Sequence, residues 1–153
     1  MEPRGPRDVV VFTDGFEIES FIDSVLEVRE SAVAGKEHYD AERPGSRDMV
    51  SAIVSGAFVP VFGTMACRDL AAQAARVSSR IALEHPFSDG NKRTALLMVG
   101  VVVSQWGGGA VLDESVDSPE FFEIIQAVAQ RSMGEEDFAE WVRGRIDWGA
   151  GVM

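Results

Sequence analysis

Nine consecutive residues, His85-Pro86-Phe87-Ser88-Asp89-Gly90-Asn91-Lys92-Arg93, gather most of the reactive chemistry of this chain into one loop. A neutral imidazole can take a proton from a hydroxyl nucleophile near pH 7, which makes His85 the candidate base. Asp89 is the candidate metal ligand, because Mg2+ is often held by one or two carboxylates with phosphate and water completing its shell. Gly90 permits a backbone conformation that other residues resist and lets a phosphate approach the main chain. Asn91, Lys92 and Arg93 then open a long apolar segment. Backbone N–H groups at a helix start suit an anion. Arg93 can grip phosphate oxygens through two parallel hydrogen bonds, while Lys92 acts as a mobile point charge. Phe87 reads as the apolar peg that fixes the loop on the core.

Each of these residues also has a plain structural reading. A histidine at a helix end caps carbonyls, an aspartate before a helix caps its first turn, and a Lys-Arg pair is ordinarily a solvated surface charge. Two features weigh against those readings here. The groups fall within nine positions, and two cations at a helix N-terminus oppose the helix dipole, a conflict that a bound anion removes. The loop is not a Walker A loop, since the G-x-x-x-x-G-K-[ST] spacing is absent.

The elements around the loop are mainly helical in pattern. Residues 1–12 read as a flexible or extended lead-in, with Val9 to Phe12 a short strand or simply extended. Thr13 or Asp14 caps a helix through Val28. Gly35 to Ser46 is polar, is broken by Pro44 and Gly45, and reads as a loop. Arg47 to Val54 suits a further helix. Gly56 to Gly63 is apolar, contains a proline and is bounded by glycines, so an extended hairpin or flap is expected. Arg68 to Leu83 carries Leu70, Ala74, Val77 and Ile81 on one face and reads as a helix ending at His85. Thr94 to Trp106 is apolar nearly all round, the pattern of a helix at the centre of a bundle. Gly107 to Gly109 stop it, and Ala110 to Leu112 suits a short extended piece. Ser118-Pro119-Glu120 starts a helix to about Gln130, and Glu135 or Glu136 a last one to about Ile146. The whole reads as one domain over 13–147, with a short tail at 148–153.

The bulk composition narrows the classes. A chain of 153 residues, 46% hydrophobic, can bury one real core. Its formal net charge of -11 and pI of about 4.5 disfavour direct contact with nucleic acid or an anionic membrane surface. A single cysteine, Cys67, rules out an internal disulfide and is expected to be a small buried hydrophobe. The first eight residues are charged and no apolar stretch of signal-peptide length follows. The longest apolar run, Ala95 to Val103, is about half a membrane span, so a cytoplasmic location is expected. Trp106, Trp141 and Trp148 read as packing residues, and His38 and Tyr39 carry no assigned chemistry.

His85 to Arg93 resembles the Fic/Doc signature H-P-F-x-[DE]-G-N-x-R. Lys92-Arg93-Thr94-Ala95-Leu96 is similar to the Doc (death-on-curing) branch, where the signature continues N-K-R-T-A-L. The order of flap, Ala-rich helix, motif, buried helix and closing helices is similar over roughly Gly45 to Ile146. The resemblance implies a single-domain helical bundle with a small β-hairpin flap. It implies that His85 is the base, that Asp89 holds Mg2+, and that Gly90, Asn91, Lys92 and Arg93 cradle the phosphates of ATP or another nucleoside triphosphate. The family's flap pins a target peptide by strand addition, and Phe58, Val59 and Val61 are its counterparts here. Adenylyl-transferring Fic proteins typically carry Gly where this chain has Lys92. The Doc-like lysine implies transfer of the γ-phosphate to a protein hydroxyl. The family further implies a toxin acting on a translation elongation factor and held in check by a separate antitoxin. Adenylylation of a protein, or transfer to a small-molecule hydroxyl, are the alternatives. An inhibitory [ST]-x-x-x-E-[GN] helix finds only a weak counterpart in Ser132 to Asp137, which reads instead as the turn before the last helix.

Overall fold

The computed structural model describes residues 8–34, 45–108, 110–113, 115 and 118–148. Most of the lead-in, the 35–44 connection and the 149–153 tail lie outside the described residues. Six helices and two short strands stand among those described, so the fold is mainly α as expected.

The first helix, α1 (Gly15–Val33), is capped by Asp14, whose side chain accepts the Glu17 N–H. Glu17 Oε1 in turn accepts the Thr13 N–H at 2.9 Å, closing the first turn from both sides. The helix runs five residues past the expected end at Val28. Nothing from Arg29 to Val33 breaks it, and Ile22, Val25, Arg29 and Val33, three or four residues apart, are all buried.

The second helix, α2 (Ser46–Phe58), overturns the expected hairpin over Gly56 to Gly63. Gly56, Ala57 and Phe58 are helical, and Ala57 and Phe58 are fully buried. Phe58 stacks on Phe12 at 4.5 Å between ring centroids and meets Phe21 and Trp106 at 5.2 Å each. That aromatic burial outweighs the helix penalty of about 1 kcal/mol carried by Gly56. The hairpin shrinks to the turn Phe62-Gly63, both at positive φ, closed by mutual N–H to carbonyl bonds between Val61 and Thr64.

Helices α3 (Leu70–Glu84) and α4 (Asn91–Trp106) form the centre. α3 packs against α2, α4, α5 (Pro119–Ala129) and α6 (Glu135–Gly144). Ala95, Met98, Val99 and Val102 of α4 are fully buried, and the Ser78 hydroxyl donates to the Ala95 carbonyl at 2.7 Å, tying α3 to α4. Buried Gln73 holds the extended N-terminal segment. Its Oε1 accepts the Val10 N–H, and its Nε2 donates to the carbonyls of Val10 and Ala57. At the other end of the chain, β1 (Val111–Leu112) pairs antiparallel with β2 (Ile146–Asp147), with Leu112 opposite Ile146. The small sheet therefore closes the C-terminus on the turn after α4, and is not the expected flap. One hydrophobic cluster draws on all six helices.

Candidate active site

The nine-residue loop joins α3 to α4, the two central helices. His85 caps α3 in a left-handed conformation (φ 51°, ψ 61°) and donates its N–H to the Ile81 carbonyl. That conformation is uncommon for a residue with a side chain, though His tolerates it better than most. Pro86 is buried, and its carbonyl accepts the Ser46 hydroxyl at 2.6 Å. Phe87 is buried, as expected of an apolar peg. Its N–H donates to Asn91 Oδ1 at 3.1 Å, and Asn91 Nδ2 donates to its carbonyl at 2.9 Å. This reciprocal pair locks the loop across four residues. Gly90 then turns the chain at φ +82°, where a Cβ would stand 2.6 Å from Val33 Cγ1. A side chain at that position would force Val33, or α1 with it, to shift.

A cleft of ≈ 380 Å³ is lined by His85, Ser88, Asp89, Gly90, Asn91, Lys92 and Arg93. His85, Lys92 and Arg93 are exposed in it, and Asp89 is half-buried with Oδ1 accepting the Gly90 N–H at 2.8 Å. Thr94 is the first residue whose N–H closes the α4 ladder, donating to the Gly90 carbonyl. The N–H groups of residues 91–93 precede that first bond and point out of the helix end. α4 has no acidic residue in its first turn and no side-chain cap, so the helix dipole is left open to an anion. One imidazole, one carboxylate, two cations and a helix start thus share one small concavity.

A divalent cation fits this cleft in one way. Among the described residues no three His, Cys, Asp or Glu side chains converge as a metal site. Asp89 alone, with phosphate and water as the other ligands, matches the chemistry of Mg2+ on a nucleotide. The Asn91 side chain is committed to Phe87, so its part in an anion site is limited to its backbone N–H.

The three residues expected to form the flap stand away from the cleft. Phe58 packs on Trp106, the last residue of α4, whereas the cleft lies at the first. A helix of that length spans about 24 Å. Val59 and Val61 follow Phe58 directly, and neither lines the cleft. The connection that leaves from and returns to the loop is the one between α1 and α2. Val33 sits beneath Gly90 and Ser46 bonds Pro86. Its residues 35–44, His38 and Tyr39 included, lie outside the described residues.

A larger cleft of ≈ 560 Å³ runs between α3 and α6 and includes Cys67, Arg76, Glu136 and Arg143. It shares no residue with the motif cleft. Its inner cations are paired: Arg76 with Glu135 at 3.2 Å, and Arg143 with Asp69 through two bonds of 2.9 and 3.0 Å. Glu136 therefore lines a different cavity from the motif loop, against the inhibitory reading of Ser132 to Asp137. Cys67 is buried, and burial pushes its thiol up to about 11. It behaves as the buried hydrophobe that was expected.

Sequence reasoning missed Arg29. It is fully buried on α1, directly beneath the loop. Its Nε donates to the Asp89 carbonyl at 3.4 Å, its Nη2 lies 3.5 Å from Ser88 Oγ, and its guanidinium sits 5.2 Å from the centre of the Phe87 ring. An arginine within the apolar stripe of α1 was the available signal.

The family model described as the Fic/DOC family matches residues 24–102, just over half of the chain. No curated protein and no solved structure matches significantly. No helix among the described residues is long and apolar enough to cross a membrane.

Proposed function

The chain belongs to the Fic/DOC family of nucleotide-dependent transferases, and from that premise we propose that it transfers the γ-phosphate of ATP, or another nucleoside triphosphate, to a hydroxyl of a target protein. One observation carries the reading: Lys92 stands exposed in the second position of α4, in the same cleft as His85 and Asp89. A lysine there adds bulk and charge where a glycine would let an α-phosphate settle. It favours the nucleotide pose that presents the γ-phosphate to the acceptor.

In this reading the acceptor hydroxyl gives its proton to His85. The N–H groups at the start of α4, with Lys92 and Arg93, hold and orient the phosphates. Mg2+, held through Asp89, neutralises phosphate charge when bound. Positioning and electrostatics suffice for such a transfer, since little covalent chemistry is asked of the protein. We propose further that the protein is a toxin acting on translation, with an elongation factor as target, and that a separate antitoxin restrains it in the cytoplasm.

Mass spectrometry of candidate target proteins incubated with the chain, ATP and Mg2+ tests the reaction. A phosphoryl increment on a hydroxyl supports it, and an adenylyl increment replaces it with AMP transfer. Lys92→Gly is expected to weaken phosphoryl transfer and to admit adenylyl transfer. An unchanged product and rate in that variant would show that Lys92 does not select the pose.

A further inference from the structure

We propose that Arg29 is a positioning residue for the phosphate site, setting the path of the motif loop from below. The proposal rests on the reading of the motif cleft as a nucleotide-phosphate site.

Arg29 occupies a position in the buried stripe of α1 where packing alone would call for an aliphatic residue, as at Ile22 and Val25. Taking a guanidinium out of water is costly unless its surroundings repay it. Those surroundings include three consecutive motif residues. The Asp89 carbonyl and the Ser88 hydroxyl lie at 3.4 and 3.5 Å, and the Phe87 ring at 5.2 Å. The nearest carboxylate on its own helix, Glu30, is 3.7 Å away with its side chain 58% exposed, so much of that anion faces water. A planar fork can reach a ring face, a carbonyl and a hydroxyl at once, whereas an ammonium is a compact point charge. The contact at the Asp89 carbonyl also fixes the peptide leading into Gly90, and so the direction of the N–H groups that follow. Those N–H groups are the donors that meet phosphate oxygens, so the influence of Arg29 grows with the number of phosphates bound.

The test is calorimetric titration of AMP, ADP and ATP, each with Mg2+, into the native chain, Arg29→Lys and Arg29→Met, with circular dichroism of all three. For Arg29→Met the expected loss of ATP affinity is about 10–100-fold, the range seen when a supporting residue behind a ligand is removed. The loss should shrink from ATP to ADP to AMP, and Arg29→Lys should recover part of the ATP affinity. A purely structural role would weaken all three nucleotides alike, and that result overturns the proposal. So do native affinities in both variants, or loss of helical signal in both, which would make Arg29 a residue of the fold. Should Arg29→Met alone unfold, the lysine variant decides, with a loss graded by phosphate number in favour and native affinity against. If the native chain itself binds none of the three nucleotides, the phosphate reading of the cleft fails first and takes this proposal with it.

Discussion

His85 and Gly90 both hold left-handed backbone conformations, and both stand where the loop changes direction. Asn tolerates that conformation but has no group that takes a proton near neutral pH. His85→Asn should therefore preserve the loop, keep Mg2+-ATP affinity, and lower transfer by about 10²–10⁴-fold, the usual weight of a general base. Native turnover in this variant would remove His85 from the chemistry. Gly90→Ala adds a strained φ and a clash with Val33 Cγ1. It should cost about 1–3 kcal/mol in urea unfolding, and less when made in a Val33→Ala background, where the clash is gone. If Gly90→Ala proves neutral, α1 is free to shift and does not hold the loop. That His85, Asp89, Lys92 and Arg93 would share one cleft was legible in the sequence, because they lie no more than eight positions apart. The side-chain grip of Asn91 on Phe87 was not foreseen, because an amide that grips a loop and an amide that faces a ligand read identically in sequence. Arg29 was missed although its spacing from Val25 and Val33 flagged a buried charge. Its contacts with Ser88 and Asp89 span about 60 residues of chain.

At the scale of elements, the caps of α1 and α5 and the short strand after α4 were readable, and the Gly56 to Gly63 segment was not. Ser118 and Asp14 cap α5 and α1 as expected, because a cap is a local hydrogen bond. The Gly56 to Gly63 segment was misjudged because Phe58 gains its stability from Phe12, Phe21 and Trp106, three residues remote in sequence. α3 depends on its own cap, Asp69, which accepts the Ala72 N–H and a two-pronged grip from Arg143 of α6. Burial pulls the Asp69 carboxyl up, but Arg143 and the Ala72 N–H together outweigh it and hold the carboxyl below its ordinary value. A native value below the unfolded one means that the stabilisation is fully present above about pH 5 and is lost as pH falls through the native value. Asp69→Ala should cost about 2–3 kcal/mol at pH 7, from the lost cap and the stranded guanidinium. Asp69→Asn keeps the cap and should cost about 1 kcal/mol. The gap between native chain and Asp69→Asn should narrow as urea unfolding is repeated toward pH 3. A gap that does not change with pH would show that the carboxylate charge contributes nothing to the α3–α6 seam.

Across the whole molecule, α4 separates two poles. Its N-terminus opens the polar cleft, and its C-terminus is packed into the aromatic group of Phe12, Phe21, Phe58 and Trp106. Composition showed that a core of this size could form, and the apolar pattern of Thr94 to Trp106 placed α4 at its centre. Neither could show that the expected flap would end at the opposite pole. The separation has a consequence for substitutions. Phe58→Ala empties a fully buried site and should cost about 3–5 kcal/mol. Phe62, at the tip of the Val61–Thr64 turn, has a relative exposure of 102%, so Phe62→Ser should change stability by no more than about 0.5 kcal/mol. Both variants, assayed well below their unfolding midpoints, should bind Mg2+-ATP as the native chain does. Lys92→Gly should do the reverse, changing nucleotide affinity with little effect on the midpoint. Affinity and unfolding midpoint measured on the same three proteins separate the poles. If Phe62→Ser lowers affinity while its midpoint stays native, the turn reaches the cleft and the target-binding role belongs to it after all.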